Sequence, residues 1–239
     1  MRDINVSQDV DKIGGTPPLR GGQNRRAVVS EESSRFLSDC LKFGLDTIVA
    51  TIALIAVLPM IVMVIVLLLL VQGRPIFIAH RRIGKNGVLF SCYKFRTMVP
   101  NADEVLTRYL SANGQERTEW AATRKLKNDP RVTPMGAVLR RSSIDEVPQL
   151  LNVILGQMSL VGPRPIAAAE VELYGNHFAD YIKVRPGLTG PWQVSGRSDT
   201  SYSKRVELDA RYVAERSFGG DIVIMAKTIP AVLRARGSY

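Results

Sequence analysis

Cysteine and histidine are scarce in this 239-residue chain, with two of each. Cys40 and Cys92 form no C-x-x-C pair, and His80 and His177 lie far apart, so no zinc site, disulfide framework or histidine metal centre is indicated. Two isolated thiols fit a reducing compartment. Also missing are the phosphate-binding G-x-x-x-x-G-K-[ST] loop, the G-x-S-x-G nucleophile elbow and the H-E-x-x-H zinc motif. No cleavable signal peptide is visible, because the apolar block starts too late and runs too long for one.

Charge is missing in two informative places. From Thr47 to Gly73 there is no charged residue across 27 positions, more than the roughly 20 needed to cross a hydrocarbon core. From Arg74 to Pro100 there are six Lys/Arg and no Asp or Glu. The net charge of +10 suits anionic lipid or phosphorylated ligands, and beside a membrane segment these outrank nucleic acid. A basic membrane-anchored adaptor is the rival from outside enzymology, but no nucleic-acid-binding signature is present.

The chain divides into a glycine- and proline-rich tail expected to be disordered (1–33), a membrane segment (34–73) and a catalytic domain (74–239). Pro59 interrupts the apolar block, removing a helical hydrogen bond and bending the helix. Lys/Arg residues flank the block about equally on both sides, whereas cytoplasmic flanks normally carry the excess. A kinked spanning helix and a helix broken at Pro59, with both ends on one face, both remain open on this count.

The β-branched and aromatic runs 75–80 and 88–98, joined through Asn86-Gly87, predict a β-hairpin. Helices are expected from Asn101, over Ser143–Leu155, Ala167–Tyr181 and 201–215, and over Asp221–Arg236, the last as an amphipathic helix on the membrane surface. Residues 113–136 read as polar and turn-rich. The fold class is α+β and mainly helical.

The sharpest local feature is SSIDEVPQL, 142–150. Taken alone it reads as a capping box, with Ser143 and Glu146 in the S-x-x-E relation. The catalytic reading uses the same placement: a helix start would keep Asp145 ionised as a nucleophile, and a neighbouring carboxylate can hold Mg²⁺. A carboxylate attacking phosphorus needs cations around it. Lys94 and Arg96 alternate along the predicted strand, and Arg140, Arg141, Arg164, Arg185 and Arg197 lie in or beside loops and helix ends. Trp192 is a weaker candidate for stacking on a base.

Taken together, GRPIF, RRIGKNGVLFSCYKFRTM, DPRVTPMGAVLRRSSIDEVPQLLNVILGQMSLVGPRP, RPGLTGPWQVSGR and RARGSY resemble the bacterial sugar transferase family, the monotopic polyprenyl-phosphate phosphoglycosyl transferases. The resemblance covers roughly Phe36 to Tyr239 and looks closest to the short, exopolysaccharide-initiating type. It implies a monotopic membrane protein whose re-entrant helix breaks at Pro59, although Leu58 stands where the family often has serine. It implies that Asp145 attacks the β-phosphate of a UDP-sugar, releasing UMP and forming a covalent sugar-phosphate intermediate that polyprenyl (undecaprenyl) phosphate then resolves. Direct transfer in a ternary complex is the rival within enzymology. By the same resemblance Glu146 helps hold Mg²⁺, and Lys94, Arg140 and Arg164 lie near the phosphates, with Arg96 and Arg197 as additions. Galactose or glucose is the implied sugar, and the bacterial inner (cytoplasmic) membrane, with the catalytic domain facing the cytosol, the implied location. Membrane lipid is an expected partner, nucleic acid is not, and a homodimer is left open.

Overall fold

A computed structural model describes residues 23–123, 126–195 and 200–233 of the chain. Two compact units meet at Leu41/Lys42. The first is the leading stretch of helix α1, whose full extent is Gln23–Gln72; in this stretch Leu37, Cys40 and Leu41 are exposed. The helix thus begins ten residues before the end of the tail proposed at 1–33. No glycine or proline occurs between Gln23 and Phe43, so a nucleated helix can propagate upstream cheaply. The rest of the tail, 1–22, lies outside the described residues.

The second unit starts at Lys42. Within it α1 carries the apolar block, and Leu37–Gln72 is the one helix among the described residues long and apolar enough to cross a membrane. The helix runs on through Pro59, without the break expected there. Ile52, Ile55, Leu58, Val62, Met63, Val66, Leu70 and Val71 are all exposed, an apolar surface that water would penalise. The buried residues fall in two groups on either side of Pro59. Asp46 and Ala50 precede it, and Val64 and Leu68 follow it.

Both groups pack on the same body. Ala50 joins Phe90, Cys92, Leu150, Val153, Met158, Val161 and Tyr212 in one core cluster, and Val64 and Leu68 join Phe95 and Leu139 in another. Both ends are also held by polar contacts. Asp46, 2% exposed, accepts a hydrogen bond from Ser159 at 2.7 Å and lies 3.5 Å from Arg185. Nearby, Lys42 pairs with Asp221 at 2.6 Å, and Tyr212 donates to the other Asp221 oxygen at 2.8 Å.

At the far end Gly73 adopts φ 66°, the left-handed cap that releases a helix from its axis. The last carbonyls would be orphaned there. Arg96, 4% exposed, donates to the carbonyls of Gln72, Gly73 and Arg74.

The hairpin forms as expected. Strands β1 (Phe77–Ile83) and β2 (Leu89–Phe95) pair antiparallel, and Asn86 and Gly87 take φ 58° and 76° at the turn. The handedness of that turn matches the strand twist. Helices α2 (Ala102–Ala112) and α3 (Gly114–Thr123) follow. The second falls in the stretch expected to be turn-rich; its sequence is charged and carries no apolar stripe. Helix α4 (Pro134–Arg141) starts with Thr133 accepting from Gly136 N and Pro134 in the first turn, a favourable start.

The helix expected over Ser143–Leu155 is split into a 3₁₀ turn, Ile144–Glu146, and α5 (Gln149–Ile154). A short parallel pair, β3 (Ser159–Val161) with β4 (Gly187–Thr189), was not foreseen. Gly162 and Gly187 permit it, since a Cβ on Gly187 would sit 2.1 Å from Gly162 N. The helix expected over Ala167–Tyr181 is broken into short pieces, including α6 (Val171–Tyr174) and α7 (Phe178–Tyr181), on either side of Gly175 at φ 50°. After α8 (Pro191–Ser195), α9 (Tyr202–Glu215) and α10 (Phe218–Leu233) close the described chain.

Replacing Arg96 by Met leaves three helix-end carbonyls without their cation. Because charge-assisted hydrogen bonds contribute about 1.5–3 kcal/mol each, stability should fall by at least about 3 kcal/mol. Arg96→Lys should recover only part, since an ammonium has no planar fork. Thermal unfolding in detergent measures this, and unchanged stability would show that the carbonyls are satisfied without Arg96.

Candidate active site

Asp145 occupies its place because the chain reverses at Ser143. Helix α4 ends at Arg141, and Ser143 then takes φ 58°, ψ 15°, a left-handed conformation uncommon for a residue with a Cβ. The Ser143 side chain makes no capping hydrogen bond, so the capping-box reading does not hold. The reversal puts Asp145 in a single 3₁₀ turn held between α4 and β2. Asn152 of α5, fully buried, locks that side: its amide donates to Ser91 O at 2.7 Å and its oxygen accepts from Tyr93 N at 3.0 Å. Strand β2 is thereby fixed beside the turn, with Lys94 near its end.

Lys94 Nζ contacts Glu146 Oε1 at 2.6 Å, and Arg164 Nη1 lies 3.5 Å from the same oxygen. Arg140 Nε donates to Thr97 Oγ1 at 3.0 Å. The charges of Lys94, Arg140 and Arg164 all act on Asp145. Five of the residues named from sequence therefore form one cluster: Asp145, Glu146, Lys94, Arg140 and Arg164.

Arg96 stands apart from it. Strand β2 ends at Phe95, so the alternation that aligned Arg96 with Lys94 stops one residue short, and its guanidinium caps α1 instead. Arg197 lies outside the described residues. Trp192 is 4% exposed and lies beneath two guanidinium groups, Arg205 at 4.7 Å and Arg164 at 5.8 Å from its ring centre. Its ring face supports Arg164 through a cation–π contact and is not open to a base. Trp192 thus lies beside the site in a role other than the base stacking expected of it, and Arg205 is a neighbour that the sequence did not identify. The signal in the sequence was an arginine one turn before the buried Asp209 of α9.

Asp145 is only 7% exposed. Burial pushes its carboxyl up, Glu146 adds to the rise, and the three cations oppose it; the balance stands at about 6. This reverses the expectation that a helix start would lower it. The turn is three residues long, too short for a substantial helix dipole, and desolvation disfavours the charged form. Near neutrality the group is still mostly ionised, a buried anion among three cations. Such a carboxylate is a competent nucleophile toward an electrophile that brings negative charge.

Among the described residues no group of three or more ligating side chains occurs. Mg²⁺ characteristically takes one or two protein carboxylates and fills its octahedron with substrate phosphate and water; Glu146 and Asp145 are the adjacent pair that could supply them. Cys92, buried beside this cluster, has its thiol pushed up by burial and is chemically quiet.

Residues 37–235 match the bacterial sugar transferase family. The exopolysaccharide production protein ExoY of Rhizobium meliloti is 51% identical over 198 residues, which are 83% of this chain and 88% of that protein. The undecaprenyl-phosphate galactose phosphotransferase of Salmonella typhimurium is 49% identical over 168 residues, 70% of this chain but 35% of that longer protein. The UDP-glucose:undecaprenyl-phosphate glucose-1-phosphate transferase of Xanthomonas campestris is 34% identical over 242 residues, 98% of this chain and 46% of its own length.

The raised Asp145 predicts a stability signature. A folded value of about 6 against an ordinary 3.8 means that the native state holds the proton more tightly. Its favourable contribution is complete below about pH 4 and is lost as pH rises through 6. Asp145→Asn should therefore stabilise the ligand-free protein above pH 7 by on the order of 2 kcal/mol, with little gain at pH 4. Thermal unfolding at both pH values tests this. A variant less stable at pH 7.5 would show that the cations over-compensate burial.

Proposed function

The chain belongs to the bacterial sugar transferase family, and from that membership we propose that it moves galactose 1-phosphate or glucose 1-phosphate from the UDP-sugar to undecaprenyl phosphate. The products are UMP and the undecaprenyl diphosphate sugar, the step that initiates an exopolysaccharide repeat unit. The observation that carries the reading is the cluster itself: a buried carboxylate, a second carboxylate beside it, and Lys94, Arg140 and Arg164 around both. The names of two relatives agree with it, each joining undecaprenyl phosphate with galactose or glucose.

The reaction runs in two displacements at one phosphorus. An Asp145 carboxylate oxygen attacks the β-phosphorus of the donor. The bond from that phosphorus to the bridging oxygen breaks, and UMP leaves with the electron pair. An aspartyl sugar-phosphate remains. A phosphate oxygen of the acceptor then attacks the same phosphorus, the Asp145 oxygen–phosphorus bond breaks, and the carboxylate is restored. Lys94, Arg140 and Arg164 bind and neutralise the diphosphate, which otherwise would repel Asp145. Mg²⁺ bound by Glu146 would supply further neutralisation of the phosphate oxygens.

Attachment to the membrane follows from α1, and two observations support a re-entrant course. The polar contacts at Asp46 and at Gln72–Arg74 tie both ends of the apolar stretch to one globular body. Burial is confined to positions near those ends, with exposed apolar side chains between. A helix crossing the bilayer would place one end about 30 Å from the other, across hydrocarbon. Phe218, Ile222, Val223 and Ile229 of α10 are exposed, while Asp221 and Thr228 of the same helix bind inward to Lys42 and Thr189. Such a helix lies in the interface plane, and with it the catalytic body rests on the cytosolic face of the inner membrane.

Incubation with a UDP-sugar alone should release about one UMP per enzyme and leave label from the sugar phosphate on the protein. Asp145→Asn should abolish both, and wild-type labelling should fall as pH drops through 6. Release of UMP only when undecaprenyl phosphate is present would favour direct transfer in a ternary complex and remove the covalent step.

For topology, exposed Cys40 serves as a native reporter, since Cys92 is buried. In intact spheroplasts an impermeant maleimide should label neither Cys40 nor a cysteine placed at exposed Ser111. Labelling of Cys40 with Ser111→Cys protected would refute re-entrance.

A further inference from the structure

Helix α4 has two unlike faces. Met135, Gly136 and Leu139 point inward. Met135 and Leu139 pack with Val64 and Leu68 of α1, and a Cβ on Gly136 would collide with the Thr97 carbonyl at 2.0 Å. Pro134, Ala137, Val138 and Arg141 are exposed, at the spacing of a single helical stripe. Val138 is 60% exposed. Through its inward face α4 packs on the part of α1 that follows Pro59, the helix that carries the exposed apolar side chains.

The stripe ends in a cation. Arg141 is exposed and makes no hydrogen bond or ion pair among the described residues. Its neighbour Arg140 is turned from it by about 100° around the helix; Arg140 bonds Thr97 and acts on Asp145. The pair thus divides, with Arg140 facing the reacting carboxylate and Arg141 facing the apolar stripe. Asp145 stands four positions after Arg141, so their Cα atoms lie within about 14 Å, and the reversal at Ser143 brings them closer than an extended chain would.

We propose that this stripe and Arg141 receive the lipid acceptor: Arg141 takes the phosphate of undecaprenyl phosphate, and Pro134, Ala137 and Val138 take its first isoprenoid units. The assignment rests on the transfer reaction proposed above. It gives the two substrates separate approaches, the donor from the side of Lys94 and Arg164, and the acceptor along α4 from the bilayer. A guanidinium suits a phosphate monoester because it forks over two oxygens, and an apolar stripe ending in a cation matches an isoprenoid ending in a phosphate.

Full-length protein in phosphatidylcholine nanodiscs with titrated undecaprenyl phosphate tests this. Arg141→Ala should leave the UMP burst from UDP-sugar alone unchanged while raising the KM for undecaprenyl phosphate roughly tenfold, the loss of one charge-assisted contact. Arg141→Lys should restore part, and Val138→Asp should raise the same KM without touching the burst. Equal loss in both half-reactions, an unchanged KM, or an effect matched by weaker membrane association in flotation would each overturn the assignment. Stabilisation of the protein by undecaprenyl phosphate, measured as a thermal shift, gives a readout independent of UMP. If wild-type protein releases no UMP without acceptor, the covalent step fails, while loss of the acceptor-induced shift in Arg141→Ala still upholds Arg141 and its persistence overturns it.

Discussion

Burial of one carboxylate among three cations is the constraint from which the rest of the site follows. Asp145 is nearly inaccessible, and desolvation pushes its carboxyl up. Lys94, Arg140 and Arg164 oppose that rise, and the balance stands at about 6. With fewer cations the carboxyl would hold its proton to higher pH. A fully exposed carboxylate would be ionised but well solvated, and a poorer nucleophile for it. Each cation is held by a different element: Lys94 by β2, Arg140 by α4, and Arg164 by the loop after β3, braced on Trp192. The body is therefore organised around converging these three elements on one turn.

The second constraint is the helix that carries the body to the lipid. Its middle is apolar and exposed, and its ends are polar and buried. Asp46 is held by Ser159 and Arg185, and the Gln72–Arg74 carbonyls by Arg96. Charged and polar contacts at both ends of one apolar helix tie those ends to the globular body. Arg96 sits two residues beyond Lys94, so the strand that supplies a cation to the site leads directly into the residue that closes the membrane helix.

Much of this was legible where local pattern and tertiary demand agree. The hairpin followed from β-branched alternation around Asn86-Gly87, and α9 and α10 from periodicity. The 3₁₀ turn at Asp145 was not legible, because Ser143, Asp145 and Glu146 satisfy a helix-start pattern while in the fold Ser143 is left-handed and the turn packs on both α4 and β2. Strands β3 and β4 are three residues each inside glycine- and proline-rich stretches, too short to show a period. Arg96 read as a phosphate ligand because alternation was carried past Phe95, where the strand ends. Helix α3 has no apolar stripe to betray it. The five clustered residues were recoverable from sequence chiefly because the resemblance aligned them; spacing alone could not bring Lys94, Arg140 and Arg164 together across 70 positions.

Consecutive arginines at the end of α4 bear on how one site can serve a water-soluble donor and a lipid acceptor in turn. On a helix, neighbouring side chains diverge, so Arg140-Arg141 necessarily faces two environments. One guanidinium is half-buried beside the reacting carboxylate, and the other is exposed at the end of an apolar stripe. In the two-step transfer proposed above, the covalently held phosphate would lie among Lys94, Arg140 and Arg164 after UMP leaves, and the incoming phosphate would bring more negative charge to the same place. Without a cation of its own the acceptor would have to compete for the three already engaged. A separate arginine on the lipid side removes that competition, and the reversal at Ser143 is what places it near Asp145 without adding its charge to the nucleophile's pocket.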